Sequence, residues 1–191
     1  YKRQDRPAIE LGDGDELQIQ QVTAEGILAD TWNGQSSLAW SLPDGTWSSD
    51  PPVPAAGILS GSFHPRHNGH EQLQQSAEEI LSGPVYNALP LINADKPPLD
   101  FLSIEKRRSA FTDVPLALSR AATFAEKANL YPGVTFVVGA DTAARVVQQR
   151  FYESDESMAA AFETIRSQDC HFLVGGRLQL SLIHISEPTR R

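Results

Sequence analysis

Ala55-Ala56-Gly57-Ile58-Leu59-Ser60 runs into Gly61-Ser62-Phe63-His64-Pro65-Arg66-His67-Asn68-Gly69-His70, and that turn runs into Glu71-Gln72-Leu73-Gln74-Gln75-Ser76-Ala77-Glu78-Glu79-Ile80-Leu81. The opening run is apolar or small throughout, as in a short strand buried on both faces of a parallel sheet. In the closing run Leu73, Ala77, Ile80 and Leu81 fall at i, i+4, i+7 and i+8, which is one face of a helix. Asn68, with Glu71 three residues on, reads as a capping box that uses Asn in place of Ser or Thr. Gly83-Pro84 stops the helix. The unit is strand, glycine-bounded turn, helix.

Outward from this unit the same alternation continues. Val85 to Ile92 predicts a second strand, and Pro97-Pro98 opens a helix from about Leu99 to Phe111. Thr112 or Asp113 is positioned to cap another helix, with Pro115 in its first turn and Leu116, Ala121, Phe124, Ala125 and Ala128 on its apolar side. Val134 to Val138, after Pro132-Gly133, is the clearest strand, β-branched or aromatic at every position. Helices near Thr142–Gln149 and Glu156–Ser167 precede a last strand at Cys170–Val174. This order implies an α/β fold, a parallel sheet with helices on both faces.

Upstream the character changes. Residues 1–54 hold Trp32, Trp40 and Trp47, an apolar stretch from Leu17 to Val22, and a turn signal at Pro43-Asp44-Gly45. They read as a small β-rich lead-in that ends in the stiff linker Pro51, Pro52 and Pro54. The main domain then spans residues 55–178. Tyr1 is neither an initiator methionine nor part of a signal-like segment, so the chain reads as a fragment, with room for a lost N-terminal fusion domain.

With 191 residues, 40% of them hydrophobic and 21% charged, the chain can bury a real core. Sixteen basic against 24 acidic side chains leave a net charge of −8, which argues against nucleic-acid partners. No apolar run approaches the roughly 18 residues of a membrane span. The single cysteine, Cys170, excludes an internal disulfide framework and points to a reducing, cytoplasmic compartment. Cys170 and His171 are too isolated for a metal site, which needs three or four convergent ligands. No protein-held metal is expected.

The turn between strand and helix is where chemistry concentrates. It lies at the carboxyl end of its strand, where ligands bind in open α/β sheets. The helix beyond it offers free N–H groups and the positive end of its dipole, which together suit a phosphate. Gly61 and Gly69 let a nucleotide approach the backbone. His67 and His70, three apart at a helix start, can project from one end toward one anion and donate to phosphate oxygens as charge builds on a leaving pyrophosphate.

This run resembles the Gly-x-Phe-x-Pro-x-His-x-Gly-His signature of the nucleotidylyltransferase superfamily, matched here at Gly61, Phe63, Pro65, His67, Gly69 and His70. His64 stands where many relatives carry Asn or Asp. The strand Phe136-Val137-Val138 ending in Gly139-Ala140-Asp141 is similar to the Gly-x-Asp turn of the nicotinamide and nicotinate mononucleotide adenylyltransferase branch. Asp141 suits two roles there: accepting from ribose hydroxyls, or capping the following helix. The resemblance implies a Rossmann-like fold and transfer of AMP from ATP, with Mg²⁺, to a small phosphorylated acceptor in NAD biosynthesis. It implies His67 and His70 as catalytic residues. Gly61, Ser62, Phe63, Gly69, Gly139, Asp141 and Arg177 would be nucleotide-binding.

Asn93-Ala94-Asp95-Lys96-Pro97-Pro98 and Glu105-Lys106-Arg107-Arg108 form the one concentrated basic region. They resemble the branch's Lys-Pro segment and downstream Arg, which face the acceptor, so Lys96 and Arg107 are the expected acceptor-binding residues. Lys106, Arg107 and Arg108 equally suit a solvated helix face. Other readings stay open: CTP as donor, a phosphopantetheine or phospho-alcohol acceptor, or a non-catalytic nucleotide-sensing module of a fused enzyme. Residues 179–191, ending Leu180-Ser181-Leu182-Ile183-His184-Ile185-Ser186-Glu187-Pro188-Thr189-Arg190-Arg191, resemble translated sequencing-adapter read-through. Excluding them leaves a C-terminally truncated domain without the superfamily's second phosphate-binding turn.

Overall fold

The computed structural model describes residues 26–92 and 97–176. Helix α1 (Gly26–Asn33) leads into a hairpin of β1 (Leu38–Ser41) and β2 (Trp47–Ser48). Asp44 holds the hairpin turn by accepting from the Thr46 N–H at 2.9 Å and from its hydroxyl at 2.6 Å. There follow β3 (Gly57–Ser60), α2 (Asn68–Leu81), β4 (Val85–Pro90), α3 (Phe101–Arg108), β5 (Leu116–Ser119), α4 (Phe124–Leu130) and β6 (Thr135–Gly139). The described chain ends with α5 (Ala140–Val146), a 3₁₀ turn (Gln149–Phe151), α6 (Asp155–Ser167) and β7 (His171–Gly175).

The seven strands make one sheet in the order β2-β1-β5-β4-β3-β6-β7. From β5 to β7 every pairing is parallel, as the alternation of strands and helices requires. The hairpin extends the same sheet, with β1 antiparallel to β5 in the register Leu38↔Ser119 to Ser41↔Leu116. The sheet is therefore mixed, and Rossmann-like in its parallel part. The lead-in also contains α1, a helix that its composition does not announce, besides the expected hairpin.

Side chains alternate across the sheet and divide the core in two. Leu59, Val85, Leu89, Leu116, Leu118 and Val137 point to the face that also buries Leu28, Ala77 and Ile104 from α1, α2 and α3. Ile58, Tyr86, Ala88, Ala117 and Phe136 point to the opposite face, covered by Ala128 of α4 and Ile165 of α6. Trp40 of β1, 1% exposed, meets the Tyr86 ring edge-on at 5.2 Å in this second core. Both faces are filled.

Three local expectations need correction. The helix expected from Thr112 or Asp113 through Ala128 is instead the buried strand β5 followed by the short α4. Leu116-Ala117-Leu118 is too short to display a period, and tertiary pairing with β4 and β1 decides it as strand. The helix start lies later, where Thr123 and Glu126 form a reciprocal capping box. The second correction is Ile80, which is 65% exposed. The buried edge of α2 runs instead through Leu73, Gln74, Ala77, Glu78 and Leu81.

Gln74 donates to the Val85 carbonyl at 2.8 Å and accepts from the buried Asn87 amide at 2.7 Å, while Glu78 accepts from the Val85 N–H at 3.3 Å. These polar contacts set the register of α2 on β4 and turn Ile80 outward. The third correction, at the α2 cap, belongs to the site below.

Lys127 is 5% exposed; its ammonium donates to the Ala122 carbonyl at 3.2 Å and lies 4.8 Å from the Phe124 ring centroid. Burial lowers its pKa from 10.5 to about 8, against a smaller opposing pull from Glu126. Between those two values the unfolded chain binds more protons at this site than the folded one, so this residue's contribution to stability rises with pH. We expect the unfolding free energy of Lys127→Met minus that of wild type to shrink from pH 8 to pH 10.5, measured by denaturant titration. The subtraction cancels the other titrating groups.

Candidate active site

Chain direction reverses around β3. From β3 the chain builds β4 and β5 on one side, then crosses back to place β6 and β7 on the other. The parallel pairing of β3 with β6, from Gly57↔Thr135 to Leu59↔Val137, sets the β3–α2 and β6–α5 turns side by side at the carboxyl edge. Such a topological switch point leaves a crevice, the usual ligand site of open α/β sheets. The Gly61–His70 run and the Gly139-Ala140-Asp141 turn therefore leave neighbouring strands at the same edge of the sheet.

At the start of α2 the cap is His67, one residue earlier than expected, and its partner is His70 rather than Glu71. His67 Nδ1 accepts from the Gly69 N–H at 3.1 Å, and the His67 N–H donates to His70 Nδ1 at 3.3 Å. The two rings stack with centroids 3.8 Å apart and planes 21° from parallel. Because each Nδ1 accepts a backbone proton, each neutral ring carries its own proton on Nε2. The box thereby creates two Nε2–H donors beside the free N–H groups and positive dipole end of a long helix. An anion is the natural complement.

The ring of His70 is half-buried, with the Phe63 ring edge-on at 5.1 Å. Burial pushes its pKa below the ordinary histidine value, His67 and Arg66 push the same way, and Glu71 opposes them. Protonating Nδ1 would break the cap bond from His67. We therefore expect anion-dependent activity to hold down to a pH below the ordinary histidine value of 6.5, then to fall as His70 protonates. A pH profile of kcat/KM, compared with the His70 ring titration by NMR, checks this.

The glycines and aromatics of the turn have local reasons. Phe63, at φ 45° and 2% exposed, folds its ring back into the core. A Cβ on Gly61 would sit 3.2 Å from that ring. One on Gly69 would sit 3.1 Å from His67 Cε1 and Nδ1. Any larger residue at either position would press on the neighbouring ring and make it shift by a few tenths of an ångström. Ser62 is exposed.

In the second turn Gly139 is the cap residue of α5 and has open space around its Cα. Asp141 lies inside the first turn of that helix, exposed and without a capping bond. At the neighbouring strand end Gly175 leaves room for Leu73 of α2, whose Cδ1 would lie 2.4 Å from an added Cβ.

Of the expected basic residues, Lys96 and Arg177 lie outside the described residues. Arg107 is half-buried near the end of α3, its Nε shielded from solvent with no partner among the described residues. Neighbouring Arg108 is engaged by Glu105, and Lys106 is exposed. The residue that sequence reasoning missed is Arg66, at an unspecified position of the motif. It donates from Nη1 to the Ala110 carbonyl at 2.8 Å, and its guanidinium lies 4.6 Å from the Phe111 ring centroid. Its type in an exposed-looking turn was the available signal. Among the described residues no three of His, Cys, Asp and Glu converge as a metal site, and no helix is long and apolar enough to cross a membrane.

No family model matches the chain, and no curated protein matches it either. Among solved structures it is similar to Plasmodium falciparum nicotinic acid mononucleotide adenylyltransferase complexed with NaAD, at 16% identity and a TM-score of 0.40. That alignment covers 65% of this chain and 76% of the other. The reading of the site rests on this chain's own residues.

Gly69→Ala probes the geometry directly. Alanine would favour the helix by about 1 kcal/mol in an open interior position. Here its Cβ presses on the His67 ring at 3.1 Å and displaces it from the cap. We expect no gain in Tm and a loss of nucleotide binding, read by calorimetric titration with ATP.

Proposed function

We propose that the protein is a nucleotidylyltransferase that moves AMP from ATP to a phosphate-bearing acceptor, nicotinamide or nicotinate mononucleotide, and releases pyrophosphate. The observation that carries this reading is the His67–His70 box: two Nε2–H donors at a helix N-terminus, set at the switch-point crevice. An acceptor phosphate oxygen attacks the α-phosphorus of ATP in line, the new P–O bond forms, and the bond to pyrophosphate breaks. Positioning and charge stabilisation suffice for such a step; no covalent enzyme intermediate is needed.

In this reading His67 and His70 hold the phosphates as charge moves onto the leaving group. The backbone of Gly61, Ser62 and Phe63 contacts the nucleotide, and Gly69 keeps room for the His67 ring. Gly139 allows close approach at the β6 end, where Asp141 accepts from ribose hydroxyls. Arg107, whose Nε has no partner among the described residues, is the cation for the acceptor phosphate, together with Lys96. Arg177 completes the nucleotide side. Mg²⁺ would enter with ATP and supply positive charge that offsets the phosphates during transfer. The activity belongs to NAD biosynthesis in the cytoplasm.

His67→Ala and His70→Ala test the assignment. Removing a transition-state donor costs on the order of 10²–10³-fold in turnover. Losing a helix cap costs only about 1 kcal/mol of stability. We expect pyrophosphate release to fall by such a factor while each variant stays folded. Losses of activity that merely track unfolding would overturn the roles. Assays with ATP or CTP against nicotinamide mononucleotide, nicotinate mononucleotide, phosphopantetheine and a phospho-alcohol identify the donor and acceptor.

A further inference from the structure

Arg66 joins the histidine turn to the loop that follows α3. Its side chain is 13% exposed although it carries a full charge. Nη1 donates to the Ala110 carbonyl at 2.8 Å, and the guanidinium covers Phe111 at 4.6 Å. Phe111 in turn meets the Phe63 ring edge-on at 5.1 Å, and Phe63 meets His70 at 5.1 Å. His70 stacks on His67, the residue directly after Arg66. The contacts close a ring: Arg66, Phe111, Phe63, His70, His67. The carboxylates nearby are loosely placed, Glu71 at 3.7 Å from Nε and Asp113 at 3.9 Å from Nη1. The backbone bond and the aromatic face therefore hold the guanidinium in place.

We propose that Arg66 is a positioning residue for nucleotidyl transfer, clamping the α3–β5 loop against the motif so that Phe111 and Phe63 wall the His70 ring into donating geometry. The clamp also ties the histidine pair to the acceptor side, because Ala110, whose carbonyl Arg66 holds, donates its own N–H to the Arg107 carbonyl at 3.1 Å. The kinetic consequence rests on the proposed transfer activity; the geometric one does not. The charged and titratable groups acting on His70 are His67, Arg66 and Glu71, and the aromatic wall adds no charge.

The test compares wild type, Arg66→Met and Arg66→Lys in the full chain. Methionine keeps the apolar stem but removes the charge and the donor; lysine keeps the charge and loses the planar fork. Misplacing a catalytic group by about 1 Å costs on the order of 10²-fold in rate. We expect Arg66→Met to lower kcat at least tenfold while the KM for ATP stays within about threefold, with partial recovery in Arg66→Lys. In NMR the His70 titration midpoint should move up in Arg66→Met and stay near wild type in Arg66→Lys. Unchanged kcat, or a loss that follows the unfolded fraction, overturns the positioning role. If wild type releases no pyrophosphate with any donor and acceptor, the transfer reading fails. The clamp is then judged by NMR contacts alone: loss of the Phe63–His70 and Phe63–Phe111 ring contacts in Arg66→Met upholds it, and their retention overturns it.

Discussion

A helix must satisfy its first backbone N–H groups with something, and in this chain the acceptors at the start of α2 are imidazole nitrogens. His67 and His70 take the places usually held by a hydroxyl and a carboxylate. That choice propagates. With both Nδ1 atoms committed to the backbone, both Nε2 atoms become donors, and the rings stack because their anchor points are three residues apart on one turn. Gly69 leaves the His67 ring its room, and Phe63 folds back beneath His70 in a left-handed conformation. The helix end and the candidate chemistry are one arrangement.

The sheet supplies the fixed frame on which this arrangement sits. Strand β3 is flanked on both sides by parallel partners and buried on both faces, so the turn leaving it has little freedom to shift. Asn87 and Gln74 add a directional constraint, since buried amides must pair and apolar packing alone would tolerate small slides of α2 on β4. Trp40 anchors the antiparallel edge. The loop after α3 is brought to the motif by Arg66 rather than by regular structure. Side-chain contacts therefore hold the α3–β5 loop, while the ladder holds the turn that leaves β3.

Much of the fold was legible because its signals are local. The β3–α2 unit, the strands β4, β6 and β7, and the helix α6 follow from apolar runs, Gly-Pro breaks and helical spacing. The misreadings occurred where local signals are degenerate. Leu116-Ala117-Leu118-Ser119 fits a helix or a strand equally, and only pairing with β4 and β1 selects the strand. Ile80 fits the apolar stripe of α2, yet the polar pairing of Gln74 and Glu78 with β4 rotates the helix away from it. Asn68 is a better cap than histidine by propensity, but the observed box uses two identical ring acceptors.

By itself the sequence determined the alternation of strand and helix, the glycine-bounded histidine turn at a strand end, and the absence of a disulfide framework. These depend on residue type and spacing within a few positions. The tertiary structure decided which strands neighbour one another, and hence that the Gly61–His70 and Gly139-Ala140-Asp141 turns lie side by side at one edge of the sheet. It also drew the lead-in hairpin into the sheet and set Arg66 against Phe111, 45 residues away in sequence by the subtraction 111 − 66. Contacts between distant segments arise from burying edges and faces together, a property of the whole packed chain that no short window of residues contains.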